Sequence, residues 1–261
     1  MRIMRDQPCI DFLQWALPRL GLRWEGFRRV RRQVCRRLRR RLGEIGLADL
    51  AAYREYLEGH PEEWAALDAL TPITISRFHR DPAVFAALER EVLPALTAGS
   101  ARVRAWSAGC ASGEEAYTLA LMAPGRIEVL ATDVDPAMLR RAREAAYGAS
   151  SLRELPRPRR DAGFFTEGNR FVVRPEHRRH VTVRRHDLRT PPPAGPFDLI
   201  LCRNVAFTYL ALHRQREVLS RLGRVLRTDG ALVIGLHESL PEPAPGFAPW
   251  PGTRAIFRRK P

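Results

Sequence analysis

The run from Trp106 to Tyr117, W-S-A-G-C-A-S-G-E-E-A-Y, leaves the chain little choice of architecture. The residues leading into it, Ala101-Arg-Val-Arg-Ala-Trp-Ser, alternate and then turn apolar, as a short buried strand does. Those that follow, Tyr117-Thr-Leu-Ala-Leu-Met-Ala, are helix formers with apolar positions at the helical period. Gly109 and Gly113 occupy the turn between, where a ligand could approach backbone with no Cβ in its way. A second apolar strand, Ile127 to Thr132, ends in Asp133. A glycine turn that opens a helix, followed by an acid at the end of the next strand, describes the nucleotide-binding half of a doubly wound sheet. The acid in that position takes ribose hydroxyls.

The remaining sequence fits that frame. Pro136 to Tyr147 reads as a helix with Arg140, Arg141 and Arg143 outward, and residues 148–180 read as irregular, rich in Pro and Arg, around a short apolar piece at Phe171. Val181-Thr-Val leads to His186-Asp187-Leu188 at a strand end, and Phe197 to Cys202 is a buried strand ending in Arg203-Asn204. Leu212 to Leu226 is an amphipathic helix, Thr228-Asp-Gly its turn, Ala231 to Leu236 a further buried strand, and Thr253 to Arg258 a last, antiparallel one. Such alternation gives a mostly parallel sheet with helices on both faces and ligand loops at the carboxyl ends of the strands.

Residues 1 to about 96 read as helical. Phe27, Val30, Val34, Leu38 and Leu42 lie on one face of a helix whose other face carries Arg28, Arg29, Arg31, Arg32, Arg36, Arg37, Arg39, Arg40 and Arg41. Gly43 and Gly46 should break this helix. Asp49 should cap a second through Tyr53, Tyr56 and Leu57, and Pro61 should start a third. Thr71 to Asp81, with Pro72 and β-branched residues, reads as an extended link, and Asp81-Pro82 opens a helix over Ala83 to Leu96.

A formal charge of +15, nearly all of it from arginine, favours an acidic partner: nucleic acid, an anionic membrane or an acidic protein surface. Nine arginines on one helix repel one another, so an anionic partner is expected there. The four cysteines, Cys9, Cys35, Cys110 and Cys202, form no C-x-x-C pair and read as reduced thiols, indicating neither a zinc site nor a disulfide framework. No apolar run reaches membrane-spanning length and the first residues do not resemble a signal peptide, so the expected compartment is the cytoplasm, without membrane insertion.

The ligand follows from charge. The turn has Gly109-x-x-x-Gly113 rather than the dinucleotide fingerprint, and Glu114 and Glu115 come immediately after it. Carboxylates suit a helix N-terminus but would repel a pyrophosphate bound there. A phosphate-free, cationic nucleoside fits better, and S-adenosylmethionine offers ribose hydroxyls for Asp133 and positive charge for Glu115.

The motifs W-S-A-G-C-A-S-G-E-E-A-Y, A-T-D-V-D, F-D-L-I-L-C-R-N-V and F-H-R-D-P resemble, in order and over nearly the whole chain, those of the CheR family of chemotaxis receptor methyltransferases. The resemblance implies a Rossmann-like class I methyltransferase sheet, last strand antiparallel, preceded by a small all-α domain. It further implies transfer of methyl from S-adenosylmethionine to receptor glutamates as γ-methyl esters. On this basis residues 1–80 form the helical domain and active-site linker, and 81–261 the methyltransferase domain, with 148–180 a shortened form of an inserted β-subdomain. By position, the cofactor-binding residues are Thr74, Ser76, Arg80, Gly109, Glu115, Asp133, Asp187, Leu188, Arg203 and Asn204, and Arg80 lies near the transferred methyl group. The family's functional tyrosine falls on Thr208, with Tyr209 one residue later, and His79 replaces the second aromatic of its F-F-R segment. Arg80 and Tyr209 are therefore the expected catalytic residues.

The partner implied is an acidic, receptor-like coiled coil docked on the Arg28–Arg41 helix. Two alternatives use the same residues: a nucleic-acid methyltransferase whose arginines contact phosphates, and a regulatory module that binds S-adenosylmethionine without transfer. The first lacks an Asn/Asp-Pro-Pro-aromatic segment after Arg203-Asn204.

Overall fold

Helix-forming sequence gives way to strand–helix alternation at Val103, and the computed structural model, which describes residues 7–98 and 102–261, follows that change. The N-terminal residues 1–6 and the lead into the first strand at 99–101 lie outside the described residues. The chain divides into two units, one of Met1–Ile73 with Thr208–Arg214, the other of Thr74–Phe207 with Gln215–Pro261.

The first unit holds helices α1 (Gln7–Arg19), α2 (Trp24–Phe27), α3 (Arg31–Ile45), α4 (Leu50–Gly59) and α5 (Glu63–Leu70). The arginine helix is shorter than its apolar period suggests, because Phe27 belongs to α2 and Val30 is only the N-cap of α3. Gly43 does not break it. The helix ends at Gly46, which adopts φ 72° as its left-handed C-cap, a conformation that costs glycine little. Asp49 caps α4 as expected, its Oδ1 accepting the Ala51 and Ala52 amides at 2.9 Å each.

Two arginines of α3 serve the fold. Arg37 Nη1 donates to the Leu70 and Pro72 carbonyls, and Arg41 forks onto Glu63 at 2.9 and 2.7 Å. The Tyr53 hydroxyl donates to the same carboxylate at 2.7 Å. Hydrogen bonding from Arg41 holds the Glu63 carboxyl below its ordinary range, against its burial. Arg28, Arg29, Arg32, Arg36, Arg39 and Arg40 are exposed. The later segment joins this unit through an antiparallel bridge between Leu22 and Leu210 and a bond from the Arg23 amide to the Tyr209 carbonyl at 2.9 Å.

The expectation of four reduced thiols fails. Cys9 on α1 and Cys35 on α3 are joined by a disulfide, with Cα atoms 6.1 Å apart, while Cys110 and Cys202 are free and buried. Helix packing, which spacing along the chain does not reveal, brings the pair together. Closing a loop with sequence separation 26 should stabilise this unit by about 3 kcal/mol on chain-entropy grounds. Thiol titration of protein denatured without reductant should therefore find two reactive cysteines and, after reduction, four. Four without reductant would refute the bond.

The second unit opens with one helical run, α6 (Pro82–Ala87), a π-helical turn (Leu88–Val92) and α7 (Leu93–Thr97). Then come β1 (Val103–Ala108), α8 (Glu114–Met122), β2 (Ile127–Asp133) and α9 (Pro136–Glu144). Next are β3 (Ala146–Tyr147), α10 (Arg157–Gly163), β4 (Phe164–Glu167), β5 (Arg170–Val173), α11 (Pro175–Arg178), β6 (Val181–Arg185) and β7 (Phe197–Leu201). The chain continues through α12 (Ala206–Tyr209) and α13 (Leu212–Val225) to β8 (Leu226–Val233), β9 (Phe247–Pro249) and β10 (Ile256–Arg259).

The main sheet has the order β6-β2-β1-β7-β8-β10-β9. Strands β6, β2, β1, β7 and β8 are mutually parallel, and β10 is antiparallel to both β8 and β9. This is the mostly parallel sheet expected from the sequence. Val103, Ala105, Val129, Leu199, Leu201 and Val233 share one core with α6 to α9, while the alternate residues Trp106, Ile200 and Leu232 are also buried, and α13 buries Val218, Leu219 and Leu222.

Three local expectations are corrected. Helix α9 stops at Glu144, because Ala145 turns left-handed at φ 53° and the next two residues pair as β3. Residues 148–180 are not irregular: they supply β4 and β5 to a three-stranded antiparallel sheet of order β3-β5-β4. Thr228-Asp-Gly is not a turn but lies inside β8, where the register against β7 shifts and Asp229 takes φ 63°. Strand β9 had no sequence expectation.

Candidate active site

Strand order reverses between β1, which leads to β2 and β6, and β7, which leads to β8. Ligands bind at the carboxyl ends of strands beside such a switch point. The candidate residues of the second unit gather there: Gly109 after β1, Asp133 closing β2, Asp187 and Leu188 after β6, and Arg203 and Asn204 after β7.

The two glycines of the first turn both sit at φ 91°. A Cβ on Gly109 would come 2.9 Å from Val205 Cγ1, and one on Gly113 would come 3.0 Å from the Ala142 Cβ. Protein packing and backbone conformation thus already require both glycines. The two carboxylates behind them differ. Glu114 is 1% exposed and accepts from Ser112 Oγ at 2.8 Å, whereas Glu115 accepts from Ser107 Oγ at 2.7 Å and from Arg203 Nη1 at 3.2 Å. Asp133 is fixed by backbone: its Oδ2 accepts the Ala111 amide at 2.8 Å and its Oδ1 the Asp135 amide at 3.0 Å. Burial nevertheless pushes its carboxyl above the ordinary range. Asp187 is gripped by Arg189 at 2.7 to 3.1 Å; burial raises its pKa, and Arg189 more than offsets this and leaves it low.

The stretch read as a link is built into the second unit. Phe78 is fully buried, with its ring edge-on to Tyr147 and Phe164 and its amide bonded to the Ser151 carbonyl at 2.9 Å. His79 and Asp81 are both left-handed, at φ 56° and 62°. Arg80 between them donates from Nη1 to the Ile75 carbonyl at 3.1 Å and from Nη2 to Asn204 Oδ1 at 3.3 Å. Thr74 and Ser76 are half-buried in the same stretch.

Arg203 binds these pieces together. Its side chain is 2% exposed; Nη2 donates to the Arg80 carbonyl and to Asp81 Oδ2, both at 2.8 Å, while Nη1 reaches Glu115. Its guanidinium also lies 5.1 Å from the Phe85 ring centroid. Asp81 stands at the N-cap of α6 without a capping hydrogen bond and spends its carboxylate on Arg203 instead. Sequence reading missed Asp81 and Ser107 as members of this network, and Arg189 as the partner of Asp187. Asp81 and Ser107 lie inside the motifs F-H-R-D-P and W-S-A-G-C-A-S-G-E-E-A-Y, but a pairing between side chains of separate loops leaves no mark along the chain. Tyr209 belongs to the first unit, where its ring lies against Phe27 at 5.0 Å between centroids.

Glu115 in the first turn of α8 and Asp133 at the end of β2 supply two carboxylates, and a cationic nucleoside with two ribose hydroxyls fits such a set of acceptors. Among the described residues no cluster of ligating side chains could hold a metal ion, and no helix is long and apolar enough to cross a membrane.

Comparison with known proteins adds the family. A model described as the CheR methyltransferase SAM-binding domain matches residues 74–256, and one described as the CheR methyltransferase all-alpha domain matches residues 30–71. The chemotaxis protein methyltransferase of Listeria monocytogenes is 37% identical over 182 residues, 67% of this chain and 69% of that protein. That of Escherichia coli is 32% identical over 225 residues, 80% of this chain and 77% of the relative. An uncharacterised 104.1 kDa protein of Rhodobacter capsulatus is 36% identical over 219 residues, but the chain spans only 23% of its length. Neither the nucleic-acid reading nor the regulatory-module reading gains support. An all-α segment, a switch-point sheet with its antiparallel β10, and the carboxylates of Glu115 on α8 and Asp133 on β2 now coincide with matches along 30–71 and 74–256, and the chain belongs to the CheR methyltransferase family.

Proposed function

We propose that the protein transfers methyl from S-adenosylmethionine to glutamate side chains of a receptor-like protein, forming γ-methyl esters. The observation that carries this reading is Arg80, a guanidinium held by Ile75 and Asn204 on a stretch clipped by Arg203 to Glu115. A glutamate carboxylate, with an ordinary pKa of about 4.3, is already ionised at neutral pH, so its attack needs alignment rather than a general base. A planar guanidinium orients such a carboxylate through two parallel hydrogen bonds.

When bound, the cofactor supplies an electrophilic methyl on a sulfonium. Glu115 balances its positive charge and Asp133 takes its ribose hydroxyls, while Thr74, Ser76, Gly109, Asp187, Leu188, Arg203 and Asn204 form the rest of its site. Tyr209, five positions after Asn204 in sequence, is assigned to the acceptor. Residues 1–80 act as the acceptor-recognising domain and active-site stretch, and 81–261 as the transferase domain with its reduced insert at 148–180. The exposed arginines of α3 would dock an acidic coiled coil by charge complementarity. The proposed compartment is the cytoplasm, in keeping with a receptor's signalling region. Disulfides are uncommon there, so the thiol titration bears on this assignment as well.

Incubation with methyl-labelled S-adenosylmethionine and cell extract tests the reading. Label on protein that mild alkali releases as methanol is the expected result. Alkali-stable label on RNA, or no label despite cofactor binding, would sink it.

A further inference from the structure

Beyond β8 the chain turns through Ile234-Gly235-Leu236-His237-Glu238, and Glu238 reaches back to the neighbouring strand end. Its Oε2 accepts two backbone amides, Asn204 at 2.8 Å and Gly235 at 2.6 Å. Asn204 sits at φ 55°, a left-handed conformation that asparagine adopts more readily than most residues with a side chain. In that conformation its Oδ1 accepts from Arg80 Nη2. Gly235 leaves room for this arrangement, since a Cβ there would come 2.9 Å from Asn204 Oδ1. One carboxylate oxygen therefore fixes the ends of β7 and β8 together and sets the direction of the amide that meets Arg80.

We infer that Glu238 is a positioning residue of the active site, acting on Arg80 through the backbone and side chain of Asn204. The inference rests on the assignment of Arg80 and Asn204 to the cofactor site made above. A charged acceptor suits this role, because backbone amides donate more strongly to an anion than to a neutral oxygen. Glutamine keeps a carbonyl oxygen that can accept from both amides, whereas alanine removes the acceptor.

The test is a double-mutant cycle read by calorimetric affinity for S-adenosylhomocysteine, with methyl-transfer kcat and KM as second readout. Glu238→Ala should weaken affinity and lower kcat by about tenfold, a coupling usual for residues in one hydrogen-bond network. Glu238→Gln should recover most of both. In an Asn204→Ala background, Glu238→Ala should add little, because its effect passes through Asn204. Additive losses, or an unaltered Glu238→Ala protein beside a weakened Asn204→Ala one, overturn the role of Glu238 and leave the site reading standing. No loss in Asn204→Ala overturns both. Should Glu238→Ala lose its fold by circular dichroism, Glu238→Asp, one methylene shorter, takes its place in the cycle under the same criteria.

Discussion

Arg80→Ala is expected to lower methyl transfer by about 10³-fold, the loss typical when a preorganised donor is removed from a reacting group. The structure places Arg80 between two left-handed residues, with its carbonyl taken by Arg203 and its fork resting on Ile75 and Asn204. Backbone and side chain are thus held independently, and truncation beyond Cβ leaves the Arg203 bond to the Arg80 carbonyl in place. S-adenosylhomocysteine should then bind within about tenfold of wild type, since the charge pairing through Glu115 and Arg203 survives. Arg80→Lys keeps the charge but not the planar fork and should recover only a small part of the rate. Single-turnover rates with a receptor fragment, measured beside calorimetric affinity, separate the two effects. Wild-type turnover in Arg80→Ala would remove this residue from the mechanism.

Arg203→Ala should strongly destabilise the transferase unit. The side chain is 2% exposed and faces two carboxylates, Asp81 at 2.8 Å and Glu115 at 3.2 Å. Its removal leaves both without their cation, and truncating one member of a buried ionic network costs about 3–5 kcal/mol. For a unit of this size that corresponds to a fall of about 10 °C in melting temperature. Asp81→Asn, which retains an oxygen acceptor, should cost far less. Differential scanning calorimetry of the two variants decides the matter; equal and small shifts would show that Arg203 does not hold the site together. Loss of Arg203 should also abolish cofactor binding, because the Arg80 stretch and Glu115 are tied by the same guanidinium.

Much of this was legible in the sequence because the transferase unit is built from short repeats of strand, loop and helix with clear periods. The Trp106–Tyr117 run and Asp133 located the ends of β1 and β2, and Arg203-Asn204 the end of β7. Errors came where one residue type has two uses. Gly43 and Gly46 look alike in sequence, but only Gly46 is left-handed; Gly43 lies on an exposed helical face where a Cβ would meet nothing within 4 Å. Thr228-Asp-Gly has turn composition and is a bulge, since β7 continues alongside and supplies pairing on both sides of it. Arg41 belongs to a run of solvent-facing arginines by pattern and to a buried carboxylate by position, as Glu63 lies on another helix. The same holds for Cys9 and Cys35, whose meeting depends on how α1 and α3 pack.

The helical unit is discontinuous. It ends at Ile73 and resumes at Thr208–Arg214, where Leu210 pairs with Leu22 and the Arg23 amide closes on Tyr209. No single break in the gene can therefore separate the two units. A fragment ending after Ile73 lacks the bridge partner of Leu22, and a transferase beginning at Thr74 carries seven orphaned residues, Thr208–Arg214, which run from the end of α12 into the first turn of α13. Recombination that exchanged only residues 1–73 would bring in helices whose closing segment still belonged to the old chain. Substitutions in these helices and in residues 208–214 must then stay compatible with one another, although Thr74–Phe207 lies between them in the chain.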